Sequence, residues 1–473
     1  MAARIARRGR ALAPAAFLVL VLCSVGPAAA ASPAAAAPPV AASPAAAQSE
    51  EELFGSGPDL VEEPAETQGD LVSGNFEATE GVELSGSLEL SFTAGLEGGS
   101  LESGAERSSP GFSLSLDARP EAGLRIHART RYAVQDTDLS GELRLEELFA
   151  DLSLEGYGRL RAGKQAAAWG LGYWWSPADV LSLAPVDELD PEAEREGTLA
   201  LKYHLPLGLG GLTLYAAADG ASSLAETALA GRMEFVYGGA ELGLGAFYRP
   251  DGEVAPRLLG TASFGLGPLD CYAEAVLSLG SERKLASFEG APSAASPEGA
   301  LFSGALGAGY SGSDEEGRWD LSASAEYYLN GAGIEEGGSY AENRAALLAL
   351  VAGGELPAGG LRGYGRHYGA LALRLDDLYG TGLGLGLDWL SNLAEGSGYW
   401  RAAAAFEPEA DFRAEAGFAA YYGPSGGEYS ALGGRGSLVA SLRLLERATL
   451  SLDWPLYGEG AEPRASLVLE AAF

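Results

Sequence analysis

From Val82 onward, segment after segment of this 473-residue chain places its apolar residues on every second position, and the last such segment runs to Phe473. Leu84, Gly86, Leu88, Leu90 and Phe92 share one parity; Glu83, Ser85, Ser87, Glu89 and Ser91 hold the other. The alternation returns at 321–329, with Asp320, Ser322, Ser324 and Glu326 between the apolar positions, and at 412–422, where Arg413 and Glu415 take the polar face. At the C-terminus, Ala465, Leu467, Leu469, Ala471 and Phe473 oppose Arg464, Ser466, Val468 and Glu470. Side chains of a strand point alternately to its two faces, so this period predicts strands that are apolar on one side only. With 68 Gly, 20 Tyr and 7 Trp, the composition fits one large β unit better than a helical or βαβ chain.

About twenty such segments can be counted between 82 and 473, and their connections alternate in length. Tight turns are expected at Arg119-Pro120-Glu121, Gly156, Gly238-Gly239, Gly267, Pro408-Glu409 and Leu445-Glu446. Longer connections fall between them, at 95–110, 166–196, 280–299, 330–365 and 423–433. A propeller or solenoid would show a repeat of fixed length, and none is found. The segment 111–118 is short for a strand, and 330–365 has room for another strand pair. The expected fold is all-β: a transmembrane antiparallel β-barrel over 81–473, of about 20 strands within a range of 16–20, with short periplasmic turns and long extracellular loops. In such a closed barrel every backbone group is paired within the protein.

The N-terminus reads as an export signal over residues 1–30. Arg4, Arg7, Arg8 and Arg10 precede a short apolar stretch, Ala11 to Leu22, and a small-residue cleavage site at Ala28-Ala29-Ala30. The apolar part is shorter than the roughly 18 residues of a spanning helix. Leu22 stands before Cys23 where a lipid anchor needs a small residue. Residues 31–80 form an Ala/Pro-rich and then acidic tract that cannot bury a core, and are expected to be a disordered periplasmic segment. The only cysteines are Cys23 and Cys271, so a processed chain forms no internal disulfide.

The formal charge is −34, and losing the four leader arginines would take it to −38. Such acidity excludes a nucleic-acid partner, which requires a basic face. Catalysis finds no support: His127, His204 and His367 are scattered, with no nucleophile motif, metal-ligand spacing or phosphate loop. No metal and no cofactor is expected.

Charge is concentrated in three successive segments. Arg125, His127, Arg129 and Arg131 share one parity, Glu147, Asp151 and Glu155 follow, and Arg159 and Arg161 return. A lipid-facing Arg near the bilayer midplane costs about 2–4 kcal/mol, which assigns these side chains to the lumen. There they could set a transverse field that sorts solutes, or form a lattice of cross-strand pairs that stiffens the wall. If the ladder is locally neutral, acidic residues of the following loop (Asp187, Glu188, Asp190, Glu192, Glu194, Glu196) would give a mild cation preference.

The most specific string runs from Gly163-Lys164-Gln165 through Trp169-Gly170-Leu171-Gly172 to Ser176-Pro177-Ala178-Asp179-Val180-Leu181. It resembles a G-K/R-Q, W-G-x-G, P-x-D-x-L pattern in a family of porin-like outer-membrane barrels of spirochetes and other Gram-negative lineages. Gly163, Gln165, Trp169, Gly170, Pro177 and Asp179 carry the match. A second similarity lies in Asn392-Leu393, Gly396-Ser397-Gly398, Tyr422-Gly423-Pro424 and Gly427-Glu428-Tyr429. The terminal strand ending in Phe473 also resembles the C-terminal signature of bacterial outer-membrane barrels, which implies recognition by the barrel-assembly machinery. The resemblance implies a channel-like barrel and no particular substrate. Locally, Ser176 can cap a short helix with Pro177 at its first position and Asp179 returning a contact. The loop with Trp169, Tyr173, Trp174 and Trp175 could fold into the mouth, or pack outside with its rings in the interfacial girdle. A second loop helix is expected at 345–351, as a packed cap more than a plug.

These observations lead to an expectation of passive diffusion of small hydrophilic solutes across the outer membrane of a Gram-negative-type bacterium. The alternatives are a closed structural or adhesive surface barrel, or the outlet of a polymer exporter. The expected partners are outer-membrane lipids, periplasmic chaperones and assembly machinery, the solutes, and a second copy of the chain if it is a homo-oligomer.

Overall fold

The computed structural model describes residues 81–95, 107–121, 123–134, 141–154, 156–167, 169–181, 197–218, 221, 223, 226–251, 254–288, 291–314, 317–335, 338–357, 361–409, 411–429, 436–445, 447–457 and 464–472. The expected leader, the 31–80 segment, Glu155, the acidic loop 182–196 and Phe473 lie outside the described residues.

Twenty strands form one sheet closed on itself. The first seven are β1 (Val82–Gly95), β2 (Arg107–Glu121), β3 (Leu124–Val134), β4 (Gly141–Leu154), β5 (Gly158–Gln165), β6 (Thr198–Pro206) and β7 (Gly210–Ala217). Then follow β8 (Ala228–Tyr237), β9 (Ala240–Tyr248), β10 (Arg257–Leu266) and β11 (Leu269–Leu279). A small hairpin, β12 (Leu285–Ser287) and β13 (Ser293–Ala295), stands apart before β14 (Ala300–Ser313) and β15 (Asp320–Leu329). The barrel continues through β16 (His367–Asp376), β17 (Leu383–Asn392), β18 (Ser397–Glu409), β19 (Phe412–Tyr422), β20 (Gly436–Leu444), β21 (Ala448–Tyr457) and β22 (Arg464–Ala472). Each barrel strand pairs antiparallel with the next, and β22 returns to β1, with Leu469 opposite Leu90.

The period-two pattern resolves as expected. Leu84, Leu88, Leu114, Leu148, Leu201, Leu258, Phe302, Leu385, Leu450 and Leu467 are exposed on the outside. A continuous belt of exposed leucines is costly in water and favourable in hydrocarbon, so the barrel spans a membrane through its strands.

Two turns are displaced from their expected places. Arg119-Pro120 and Glu407-Pro408 lie in bulges within β2 and β18, and the described turn residues fall beyond them, at Gly123 and Asp411. Proline has no N–H for the ladder, so a bulge is where a strand tolerates it.

The segment 330–365 holds no strand pair among its described residues. Its two helices are α1 (Gly338–Glu342) and α2 (Arg344–Ala352). The helix expected at 345–351 is thus present, and it is a packed cap. Leu347, Leu350, Tyr340, Leu356 and Tyr364 form a small core with Leu285 and Ala286 of the hairpin, on the long-loop rim. Burial there, with the Glu395 carboxylate it donates to, pushes the Tyr364 phenol well above its ordinary pKa.

Candidate functional site

The loop after β5 turns inward. Its first limb starts at Gln165, fully buried, whose amide donates to the Ala200 carbonyl of β6 (3.0 Å). Gly163, two residues earlier, has φ +134°, and a Cβ there would stand 2.1 Å from the Leu148 carbonyl oxygen. The Ala166 N–H then donates to Glu147 of β4 (2.7 Å). Trp169 is buried edge-on to Tyr215 of β7 (5.6 Å), and its carbonyl accepts from the Arg232 guanidinium of β8 (2.6 Å).

Beyond Trp169 the loop becomes a finger held by two wall carboxylates. Glu274 of β11 accepts from the Leu171 and Gly172 N–H groups on the outgoing limb, the latter at 2.8 Å. The same carboxylate accepts from Ser176 Oγ (3.1 Å) and the Ala178 N–H (2.8 Å) on the returning limb. Glu326 of β15 takes the tip, accepting from the N–H groups of Tyr173 (2.9 Å), Trp174 (3.2 Å) and Trp175 (2.7 Å), and from the Tyr272 hydroxyl. Both carboxylates are almost fully buried. A net hydrogen bond is worth about 0.5–1.5 kcal/mol, so six backbone N–H groups on two buried carboxyl groups hold the finger firmly.

The finger covers half of the wall. Its root packs on β6 to β11 through Ala200, Ala217, Ala230, Phe247, Leu259 and Val276. Its tip, Trp174 and Trp175, packs on Tyr368 and Ala370 of β16 and Leu390 of β17. From β6 to β17 is ten of the twenty barrel strands. Of the two placements open to these aromatics, the structure has the inward one. Gly170 explains part of the motif: a Cβ there would stand 1.2 Å from Ser176 Oγ, so only glycine lets the limbs close on Glu274.

The expected helix at 176–179 is absent. Ser176 to Asp179 form a turn, closed by the Asp179 N–H on the Ser176 carbonyl (3.1 Å). Ser176 Oγ bonds Glu274 instead of capping, and Asp179 accepts from the Trp169 N–H (3.4 Å), joining the limbs. Side-chain contacts to the wall outcompete local helix formation, which a single turn cannot sustain alone.

The other half of the wall carries the charge ladder. Arg125 pairs with Asp117 (2.6 Å), Arg129 with Glu146 (3.3 Å), and Arg161 with Asp151 (2.6 Å). Arg131 reaches Glu146 at 3.9 Å. His127 lies between Asp117 (3.5 Å) and Glu147 (3.6 Å), stacked on Phe149. Glu146 was not an expected member. A bulge in β4 opposite Arg129 and Thr130 shifts the register, and so Glu146 reaches these arginines. Arg159 faces His204 across the β5–β6 ladder. His204 is buried and bonded to Thr213 (3.0 Å), and His367 lies at the long-loop rim against the Tyr327 hydroxyl (2.6 Å). Further round, Arg401 and Arg413 share Glu415, and on the finger half Arg374 of β16 pairs with Asp388 of β17. The guanidinium is the more exposed partner in most of these pairs: Arg129 is 37 % exposed against 16 % for Glu146, and Arg413 46 % against 14 % for Glu415.

Glu274, Glu326, Arg232 and Tyr272 were not singled out from the sequence. Each is one of several polar residues on the inward parity of its strand, and its partners in the finger lie 63 to 153 residues away, mostly as backbone groups. Among the described residues no cluster of His, Cys, Asp or Glu could hold a metal ion.

No protein-family model and no characterised protein matches the chain. Solved structures of similar form include OmpF of Salmonella typhi in complex with daunomycin (12 % identity, 83 % of this chain and 97 % of that one, TM-score 0.35). The outer-membrane channel DcaP of Acinetobacter baumannii is 11 % identical over 84 % of this chain and 99 % of its own, with TM-score 0.34. OccK2 of Pseudomonas aeruginosa is 12 % identical over 83 % and 97 %, with TM-score 0.40. Likeness at this level adds nothing to the barrel described above and assigns no solute.

Proposed function

We propose that the protein is an outer-membrane, porin-like channel for passive diffusion of small hydrophilic solutes, narrowed by the finger at 166–181. The finger inside the lumen is the observation that carries this reading. Twenty strands about 4.8 Å apart and tilted about 40° place the backbone about 20 Å from the barrel axis, wider than wall side chains fill. A loop bonded to half of that wall leaves a passage bounded on its other side by the Arg–carboxylate pairs. Their guanidinium ends meet the solute first and filter by charge, while acidic loop residues at the mouth supply a mild, salt-screened cation preference.

Export by residues 1–30, a periplasmic segment at 31–80, chaperone and assembly-machinery contacts, and insertion through a signal that includes Phe473 complete the proposal. The orientation puts the rim bearing 166–181, 280–299 and 330–365 outside the cell.

Planar-bilayer recording with the purified full chain tests the channel. Stepwise, ohmic conductance is expected. Silence at high protein would overturn it in favour of a closed structural or adhesive barrel, and passage of long polymers alone would favour an exporter outlet. For orientation, reagents applied to intact cells are expected to reach 280–299 and 330–365 and to spare Gly238-Gly239. Labelling of that turn with the outer membrane intact would reverse the topology.

A further inference from the structure

The second string of motif residues meets the first at the finger's tip. Asn392 ends β17, and Gly427, Glu428 and Tyr429 lie in the loop after β19, all on the long-loop rim. Glu428 is only 2 % exposed although it belongs to a loop. One of its oxygens accepts from the Gly363 N–H. The other accepts from the Tyr368 hydroxyl (3.0 Å) and the Asn392 amide (2.7 Å). Its own N–H donates to Glu395 (2.8 Å).

Tyr368 is the joint between this loop and the lumen. Its ring is fully buried and lies against the Trp175 indole, with centroids 5.6 Å apart. Trp175 is stacked in turn on Tyr328 (5.8 Å, 14°), and Tyr429 packs in the same cluster. The Tyr368 hydroxyl also accepts from the Gly365 N–H (2.7 Å), while its own proton is donated to Glu428. A closely packed aromatic cluster shifts as a unit, since a ring displaced alone leaves a void that costs lost contacts.

We propose that Glu428 is a positioning residue for the constriction: through Tyr368 it fixes the seat of Trp175, so the finger is latched from the outer loop 423–429 as well as from the wall. The latch rests on the channel reading for its consequence, a steady aperture, but its geometry can be tested without conductance. A carboxylate suits the place because Gly363, Tyr368 and Asn392 all donate to it. Glutamine would offer one acceptor oxygen and turn an amide N–H toward donors.

The test uses the full-length folded protein in detergent and in bilayers. Acrylamide quenching of tryptophan fluorescence is compared with and without Trp175→Phe, and the difference isolates Trp175. In the parent protein Trp175 is expected to be protected. Glu428→Gln and Tyr368→Phe are each expected to remove that protection, and the double variant to be no worse than either, because both break one chain of contacts. In bilayers the same variants are expected to show flickering, multi-level currents where the parent is steady. Tyr364→Phe, which removes a bond to Glu395 in the neighbouring loops, is expected to leave Trp175 protected. Unchanged protection in both latch variants, additive effects, or an equal effect of Tyr364→Phe would overturn the latch. Heat-modifiable migration confirms that each variant is folded. Should Glu428→Gln not fold, Tyr368→Phe alone carries the comparison. A parent protein that is silent in bilayers would sink the channel reading, while quenching still decides the latch.

Discussion

Two sets of carboxylates on the lumen wall are used in opposite ways. On the half from β6 to β17, Glu274 and Glu326 are buried under the finger and bind mainly its backbone N–H groups. On the half from β18 round to β5, Asp117, Glu146, Asp151 and Glu415 bind guanidinium groups of neighbouring strands. Both arrangements satisfy the charge, but the first fixes a loop in space and the second braces strands that the ladder already fixes. Half-exposed pairs such as Arg129 with Glu146 contribute little to stability, typically about 0–1 kcal/mol, whereas Arg161 with Asp151 is buried. Buried carboxylates holding several N–H groups leave those donors unsatisfied when removed, at about 1–3 kcal/mol each. The teaching is that residue type on the inward face says little until the group opposite is known.

The comparison predicts unequal consequences. The largest is for Glu274→Ala with Glu326→Ala: the finger loses both anchors, and single-channel conductance should rise stepwise while the barrel stays heat-modifiable. The equivalent change on the other wall, Asp117→Ala with Glu146→Ala, should leave conductance close to the parent's. Equal effects on the two walls would break the distinction. Next is Gly170→Ala, which forces the limbs apart at Ser176, at about 1–3 kcal/mol of local overpacking. It should loosen the finger without altering ion preference, as read from conductance noise and from reversal potential under a salt gradient. Smaller is Arg129→Ala with Arg131→Ala: reversal potential should move toward cations, and less so at high salt, since screening acts over about 10 Å at 0.1 M. A potential that does not move would make these arginines wall structure only. The smallest effect is for Ser176→Ala, which removes one hydroxyl contact to Glu274 and leaves the two backbone limbs bonded to it. Conductance should change little there.

Much of the barrel is legible in the sequence because a strand exposed to lipid on one face must alternate, and Leu84 to Leu469 do so. The twenty strands and the alternation of short and long connections follow from that rule. Where the rule fails, the cause is local. Pro120 and Pro408 read as turn residues but sit in bulges, and the extra residue Glu146 in β4 escapes any period-two count. The candidate site is less legible. The string around Trp169 and Pro177 marks a special loop, but its apolar and aromatic content suits either the lumen or the outer girdle.

By itself, the sequence determined that this chain forms a large one-sided sheet with a polar interior, since hydrocarbon outside and water inside impose a parity on every residue. It also led to the expectation that Arg125, Arg129, Arg131 and Arg161 face inward, because the opposite face excludes them. Only the tertiary structure decided what fills the interior. The finger partners of Glu274 and Glu326, at 171–178, and the Glu428 partner of Tyr368 are brought from other parts of the chain by closure of the barrel. A backbone N–H carries no sequence signature, so a carboxylate that will bind one looks the same as a carboxylate that will meet an arginine.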